Sequence, residues 1–199
     1  MDILIATSNP GKLREYGALL AEIPARLVST KEVGLDGLDV EEPYDTYEAN
    51  ARHKAEVYAK ASGLLSLADD SGLSVDALGG RPGVYSARYA PTESERNQKL
   101  LGELALVPEA QRTARFICVI AVADPRTGQV ETGYGAVEGR IAHAPGEVIY
   151  GFGYDPIFIP DGYDKVFSAL GRDEKNALSH RGRAAQAILP ALRRLVGAG

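Results

Sequence analysis

Residues 2–20 read DILIATSNPGKLREYGALL, and the order of their patterns decides the fold class. Residues 2–7 form a short, nearly continuous apolar run, which predicts a strand buried on both faces. Ser8-Asn9-Pro10-Gly11 then breaks the strand. Leu13, Tyr16, Leu19 and Leu20 follow at helical spacing until Pro24. The unit is strand, tight turn, helix, with the turn at the carboxyl end of the strand. In open α/β sheets that edge is where ligands bind.

Working outward, residues 30–45 are acidic and loop-like. Asp45 with Glu48 three residues on resembles a helix N-cap and its partner, so a helix is predicted over 46–62, with Gly63 as its stop. Residues 64–68 give a second buried strand that ends at Asp69-Asp70-Ser71-Gly72. Thr92-Glu93-Ser94-Glu95 is a capping-box pattern and predicts a helix through about Leu106. Residues 113–123 and 129–141 read as strands joined by a hairpin turn, Asp124-Pro125-Arg126-Thr127-Gly128. Small and apolar residues recur at 184, 187, 188, 191, 192 and 195, a terminal helix in which Pro190 predicts a kink. Strands that alternate with helices early and form a hairpin late indicate an α/β fold with a mixed, partly antiparallel central sheet and flanking helices. The 199 residues carry no repeat and no linker-like stretch, so a single domain over 1–199 is expected.

Composition narrows the function. Hydrophobic residues make up 45% and charged residues 25%, as in ordinary globular proteins. The formal net charge of −5 gives no global attraction to nucleic acid or an anionic membrane. An anionic small molecule remains admissible through a local basic pocket or a metal. The first residues lack the basic and apolar regions of a secretory signal, and no apolar run approaches the ~18–20 residues that span a bilayer. Cys118, the single cysteine, is expected to be a buried strand thiol. A reducing cytosol is the expected setting.

Four segments carry chemistry-bearing residues. Thr7, Ser8, Asn9, Pro10, Gly11 and Lys12 enter a helix, whose N-terminal amides and dipole suit phosphate; a plain turn with a surface lysine is the alternative. The segment is not a Walker A loop, since Ala6 and Leu13 stand where that motif needs Gly and Ser/Thr. Asp69 and Asp70 at the end of an apolar run are costly to desolvate unless paired. Mg²⁺ takes such hard oxygen ligands and shares them with substrate phosphates; an Asx-turn would account for one of the two. Glu41-Glu42 before Pro43 offers a further ligand or a solvated loop, and Asn50 and Lys54 share a helix face. Finally, Gly151-Phe152-Gly153-Tyr154-Asp155 lets a ring lie against a flat ligand. Lys175, His180 and Arg181 add donors and Asp155 an acceptor, the parts needed to read a base edge.

Together these segments resemble the inosine triphosphate pyrophosphatase family. The matching pieces are residues 7–12, Asn50 to Lys54, 69–72, 79–89 (GGRPGVYSARY), 151–158 (GFGYDPIF) and 179–182, in family order across nearly the whole chain. The resemblance implies two lobes around a long cleft, a homodimer, and Mg²⁺-dependent hydrolysis of non-standard purine nucleoside triphosphates to monophosphate and pyrophosphate. By position it assigns Thr7 to Lys12 and Lys54 to the phosphates, Glu41 and Asp70 to Mg²⁺, and Asp70 to the proton of the attacking water. Ser71 would touch substrate; Phe152, Gly153, Tyr154, Asp155, Lys175, His180 and Arg181 would form the base pocket. Two other readings use the same residues: a pyrophosphatase of pyrimidine or modified nucleotides, and a nucleotide-sensing module without catalysis.

Overall fold

The computed structural model describes residues 1–197. Among them a six-stranded sheet has the order β2-β1-β3-β4-β5-β6, with β1 at Asp2–Ile5, β2 at Arg26–Ser29, β3 at Leu65–Val75, β4 at Thr113–Ala123, β5 at Val130–Ile141 and β6 at Phe158–Pro160. The helices are α1 (Pro10–Leu19), α2 (Tyr47–Ser62), α3 (Glu93–Glu103), α4 (Arg172–Leu178) and α5 (His180–Leu195). β1 runs parallel to β2 and to β3, whereas β5 and β6 are antiparallel. The mixed, partly antiparallel α/β sheet expected from the sequence is present. Among the described residues no helix is long and apolar enough to cross a membrane.

The chain divides into two compact units: residues 1–70, 118–135 and from 181 onward, and residues 71–117 with 136–180. In the first unit β1 is covered on both faces, as its unbroken apolar run requires. Ile3 and Ile5 pack with Tyr16 of α1 and Leu20 at its C-cap, and with Ala184, Ile188 and Leu192 of α5. Leu4, one residue out of phase, packs with Ala51, Ala55 and Ala59 of α2. Burying each such Leu or Ile contributes about 1.5–3 kcal/mol. The alanines repeat every fourth residue and leave room for the helix to lie close to the sheet. The second unit has its own core, in which Leu73, Val75, Phe116, Val137 and Ile141 meet Leu100 of α3 and Leu104 at its C-cap. Arg112, 1% exposed, closes that core by donating to the carbonyls of Leu104, Ile141 and Ala142 at 2.7–2.9 Å.

Several boundaries differ from the sequence reading. α2 is capped by Thr46, whose hydroxyl accepts from the Ala49 amide at 3.2 Å, rather than by Asp45; Gly63 ends it in the left-handed conformation, φ 69°. α5 begins at His180, earlier than the apolar pattern suggests, and continues past Pro190. The Thr92–Glu95 capping box is formed as predicted. The consequential difference is β3. It does not stop before Asp69 but runs on to Val75, so both aspartates sit inside a strand, with partners that only the folded chain supplies.

Candidate active site

In the first unit, the turn after β1 is an N-cap. The Asn9 side-chain oxygen accepts from the amides of Gly11 at 2.8 Å and Lys12 at 3.3 Å, and Pro10 occupies the first helical turn. The Asn9 amide in turn donates to Thr7 Oγ1 at 3.2 Å. Two of the amides that a phosphate would find at an uncapped helix start are therefore already engaged. What the turn offers outward is the exposed Ser8 and Pro10 and the side chain of Lys12.

Lys12 reaches across to β3, where its Nζ lies 3.0 Å from Asp69 Oδ1 and 2.9 Å from Oδ2. Arg181, at the start of α5, also meets Asp69 Oδ2, at 3.4 Å, and donates to Glu15 Oε2 of α1 at 2.5 Å. Asp69 is thus a buried carboxylate between two cations. Burial by itself would raise its pKa, but Lys12, Arg181 and Lys54 outweigh that and hold it well below the usual carboxylate range. Cys118 of β4 lies 3.8 Å from the same oxygen, and burial, then the Asp69 charge, push its thiol up to about 12.

Asp70 points to a different set of partners, as adjacent strand residues must. Its Oδ2 accepts from Asn50 Nδ2 at 3.0 Å. Asn50 also ties down the preceding loop, accepting from the Tyr44 amide and donating to the Tyr44 carbonyl, both at 3.0 Å. One turn further along α2, Lys54 donates to the Asp69 carbonyl at 2.6 Å and to Glu42 Oε1 at 2.5 Å. Burial raises Asp70 to about 6; Lys54 and the Asn50 bond pull it down, and the Glu42 charge pushes it up. Of the two adjacent glutamates, Glu42 joins this cluster, while Glu41 is exposed. Lys54 of α2 receives the second of the pair.

The second unit holds the aromatic segment. Gly151, at φ 138°, has no room for a side chain, since a Cβ there would lie 2.5 Å from Asp155 Oδ2. That oxygen accepts from the Phe152 amide at 2.8 Å and from Lys175 Nζ at 2.7 Å. Lys175, 2% exposed, stands 5.1 Å from the Phe152 ring centroid and 5.4 Å from that of Tyr150. The His180 ring stacks on Phe116, with centroids 4.7 Å apart and planes at 9°. Tyr154 is part of the core, and its hydroxyl donates to the Ser86 carbonyl at 3.0 Å. Gly153 accepts from Asn97 Nδ2 of α3 at 3.0 Å. Ser71, half-buried, follows Asp70 in β3 and belongs to this unit.

Thr7, Asn9, Lys12, Lys54 and Asp70 are thus gathered in the first unit, and Phe152, Gly153, Tyr154, Asp155, Lys175 and His180 in the second. Arg181, also expected among the base readers, belongs to the first unit. Its guanidinium meets Glu15 and Asp69 there. The sequence reading assigns no role to Glu15, Phe116 or Asn97. Glu15 stands three residues after Lys12 on α1, a spacing that marks one helix face, but its burial at 2% has no signature in sequence.

Among the described residues, no group of three or more His, Cys, Asp and Glu is arranged to hold an ion by itself. Glu42 lies close enough to act on the Asp70 charge, and these are the two carboxylates that could hold Mg²⁺, which commonly binds one or two carboxylates and completes its shell with water and substrate phosphates.

The sequence matches the model of the Ham1 family over residues 3–191. A protein of Bacillus subtilis named dITP/XTP pyrophosphatase is 48% identical over 184 residues, covering 90% of this chain and 91% of its own length. One of the same name from Yersinia pseudotuberculosis is 46% identical, covering 96% and 98%. Among solved structures, a HAM1 protein of Coxiella burnetii superposes with a TM-score of 0.86 at 38% identity, covering 98% of this chain and 99% of that one. The Ham1 protein of Staphylococcus aureus gives 0.83 at 37%, over the full length of both.

Proposed function

This chain belongs to the Ham1 family, and we propose that it hydrolyses non-standard purine nucleoside triphosphates, those of inosine, deoxyinosine and xanthosine, to the nucleoside monophosphate and pyrophosphate. The observation that carries the reading is Asp70. It is a buried carboxylate that accepts from Asn50 Nδ2 at 3.0 Å, next to the Asp69 carbonyl that Lys54 holds, a fixed acceptor placed to take a proton from water.

In the proposed reaction, a water oxygen attacks the α-phosphorus, the bond to the α–β bridging oxygen breaks, pyrophosphate leaves and the water proton passes to Asp70. Lys12 and Lys54 hold the polyphosphate. Their present partners are the Asp69 carboxylate, the Asp69 carbonyl and Glu42, so in this role they exchange or share those acceptors with phosphate oxygens. The ionised cluster of Lys12, Lys54, Arg181, Glu15, Glu42, Asp69 and Asp70 carries three positive and four negative charges. A tail of about four negative charges would be repelled there, at about 4 kcal/mol per pair of unit charges 4 Å apart at an effective dielectric of 20. Magnesium held by Glu42 and Asp70 would offset that charge and acidify nearby water.

Base choice follows from polarity. Lys175 and His180 supply donors, and Asp155 fixes Lys175 in place. Hypoxanthine and xanthine present an acceptor oxygen at C6, where adenine presents a donor amine. An unmet buried polar group costs about 1–3 kcal/mol, so two such contacts would discriminate by a factor on the order of 10²–10⁴.

The relatives' name, dITP/XTP pyrophosphatase, supports this reading over a pyrimidine substrate or a sensing module. A pyrophosphate-release assay across the common and the oxo-purine nucleoside triphosphates, with and without Mg²⁺, tests it. Release confined to the inosine, deoxyinosine and xanthosine triphosphates and lost on chelation is the expected result; equal release from guanosine or pyrimidine nucleotides, or none from any, overturns it. A homodimer in the cytoplasm is part of the same proposal, and sedimentation velocity showing only a 21 kDa species would remove its first half.

A further inference from the structure

We propose that Asn97 is a positioning residue for the purine-reading segment 151–155, acting through the Gly153 carbonyl; the inference rests on the function proposed above. Asn97 lies in the middle of α3, 8% exposed, outside every motif that the sequence singles out. Its Nδ2 donates to the Gly153 carbonyl at 3.0 Å. Its Oδ1 is buried and has no hydrogen-bond partner among the described residues. The carboxamide cannot be turned round, because that would set Oδ1 against another carbonyl oxygen.

A buried amide with one orphaned end costs free energy that an apolar side chain of similar size would not. Asn97 keeps that cost and spends its donor on one acceptor only. Gly153 has a left-handed backbone, φ 65°, and stands between Phe152, whose amide is held by Asp155, and Tyr154, whose hydroxyl is held by Ser86. Of the two carbonyls between those anchors, that of Phe152 accepts from the Asp155 amide at 3.2 Å, and the Asn97 bond secures the other, that of Gly153. α3 makes further ties of the same kind, from Arg96 to the Ala87 carbonyl at 2.9 Å and from Lys99 to that of Tyr89 at 3.0 Å. The helix fastens both the 79–89 segment and the 151–155 segment, and Asn97 is its contact with the one that carries Phe152.

Asn97→Asp and Asn97→Leu test this. Asp puts an acceptor opposite the carbonyl; Leu removes the donor together with the orphaned oxygen and so spares the core. Steady-state kinetics with inosine triphosphate and Mg²⁺ are compared with competitive inhibition by tripolyphosphate, which has the tail and no base. The expected result is a KM about tenfold higher in both variants, equivalent to about 1.4 kcal/mol, with kcat and the tripolyphosphate inhibition constant within about twofold of wild type. A folded Asn97→Leu variant with wild-type KM overturns the proposal. So does a parallel rise of KM and the inhibition constant, or loss of the folded state in both variants by urea titration, either of which makes Asn97 a core residue only. A wild-type protein that does not cleave the nucleotide counts against the proposed activity instead.

Discussion

Asp69 and Asp70 are neighbours with opposite fates, and the difference lies in which cations each meets. Asp69 has Lys12 and Arg181 and stays ionised; Asp70 has burial and the Glu42 charge against it and rises to about 6. A carboxylate raised in the folded state binds more protons there than in the unfolded chain between about pH 4 and 6, so stability falls as pH rises through that window and the loss is complete above it. Asp70→Asn is accordingly expected to abolish pyrophosphate release. In metal-free protein the same variant should be more stable than wild type by about 3 kcal/mol at pH 8 and by less than about 1 kcal/mol at pH 4. Urea midpoints at the two pH values measure this, and a stabilisation that does not change with pH would refute the assignment of strain to Asp70 ionisation. The glutamate pair separates in the same way. Glu42→Gln should lower kcat/KM on the order of 10²-fold, as loss of a metal-site carboxylate does. Glu41→Gln, at an exposed position, should leave it within about threefold. The reverse ranking in a pyrophosphate assay would return the metal role to Glu41.

At the scale of elements, what the sequence discloses depends on whether a segment's pattern is self-contained. β1 and α2 are legible, because unbroken apolar residues and an alanine stripe between caps need no distant partner to be read. β2 and β6 are not: Arg26-Leu27-Val28-Ser29 has no unbroken apolar run, and the three residues of β6 are too few for any pattern to register. β3 is half legible, since two adjacent aspartates look like a strand end until Lys12, Asn50 and Arg181 arrive from three helices. For the same reason Asp70 and Lys54 can be nominated from sequence, whereas the committal of Arg181 to Glu15, and the choice of Glu42 over Glu41, cannot. One further element-scale consequence concerns the seat of α5 on β5. A Cβ at Gly133 would lie 2.7 Å from the Ala184 carbonyl and 2.9 Å from Ile188 Cβ. Both are fixed parts of a buried helix, so Gly133→Ala must push helix and strand apart, at a cost of about 1–3 kcal/mol. The urea midpoint should fall accordingly while specific activity of the folded fraction is retained; an unchanged midpoint would mean that α5 sits less tightly than the backbone positions imply.

For the whole molecule, the division into two units raises the question of whether they are separate folding units. Each has its own apolar core, which favours independence. The course of the chain argues the other way. It passes between units at residues 70–71, 117–118, 135–136 and 180–181, and the first three passages lie inside β3, β4 and β5 while the last is in the first turn of α5. No passage is a linker in which one unit could lose order and leave the other intact; unfolding either would fray three strands that the other uses. A single cooperative transition is therefore expected. Its calorimetric enthalpy should be about 140 kcal/mol near 60 °C, from about 0.7 kcal/mol per residue, and should equal the van't Hoff enthalpy. Two resolved heat-capacity peaks, or a van't Hoff value near half the calorimetric one, would show that the cores outweigh the shared strands and that the units unfold as separate domains.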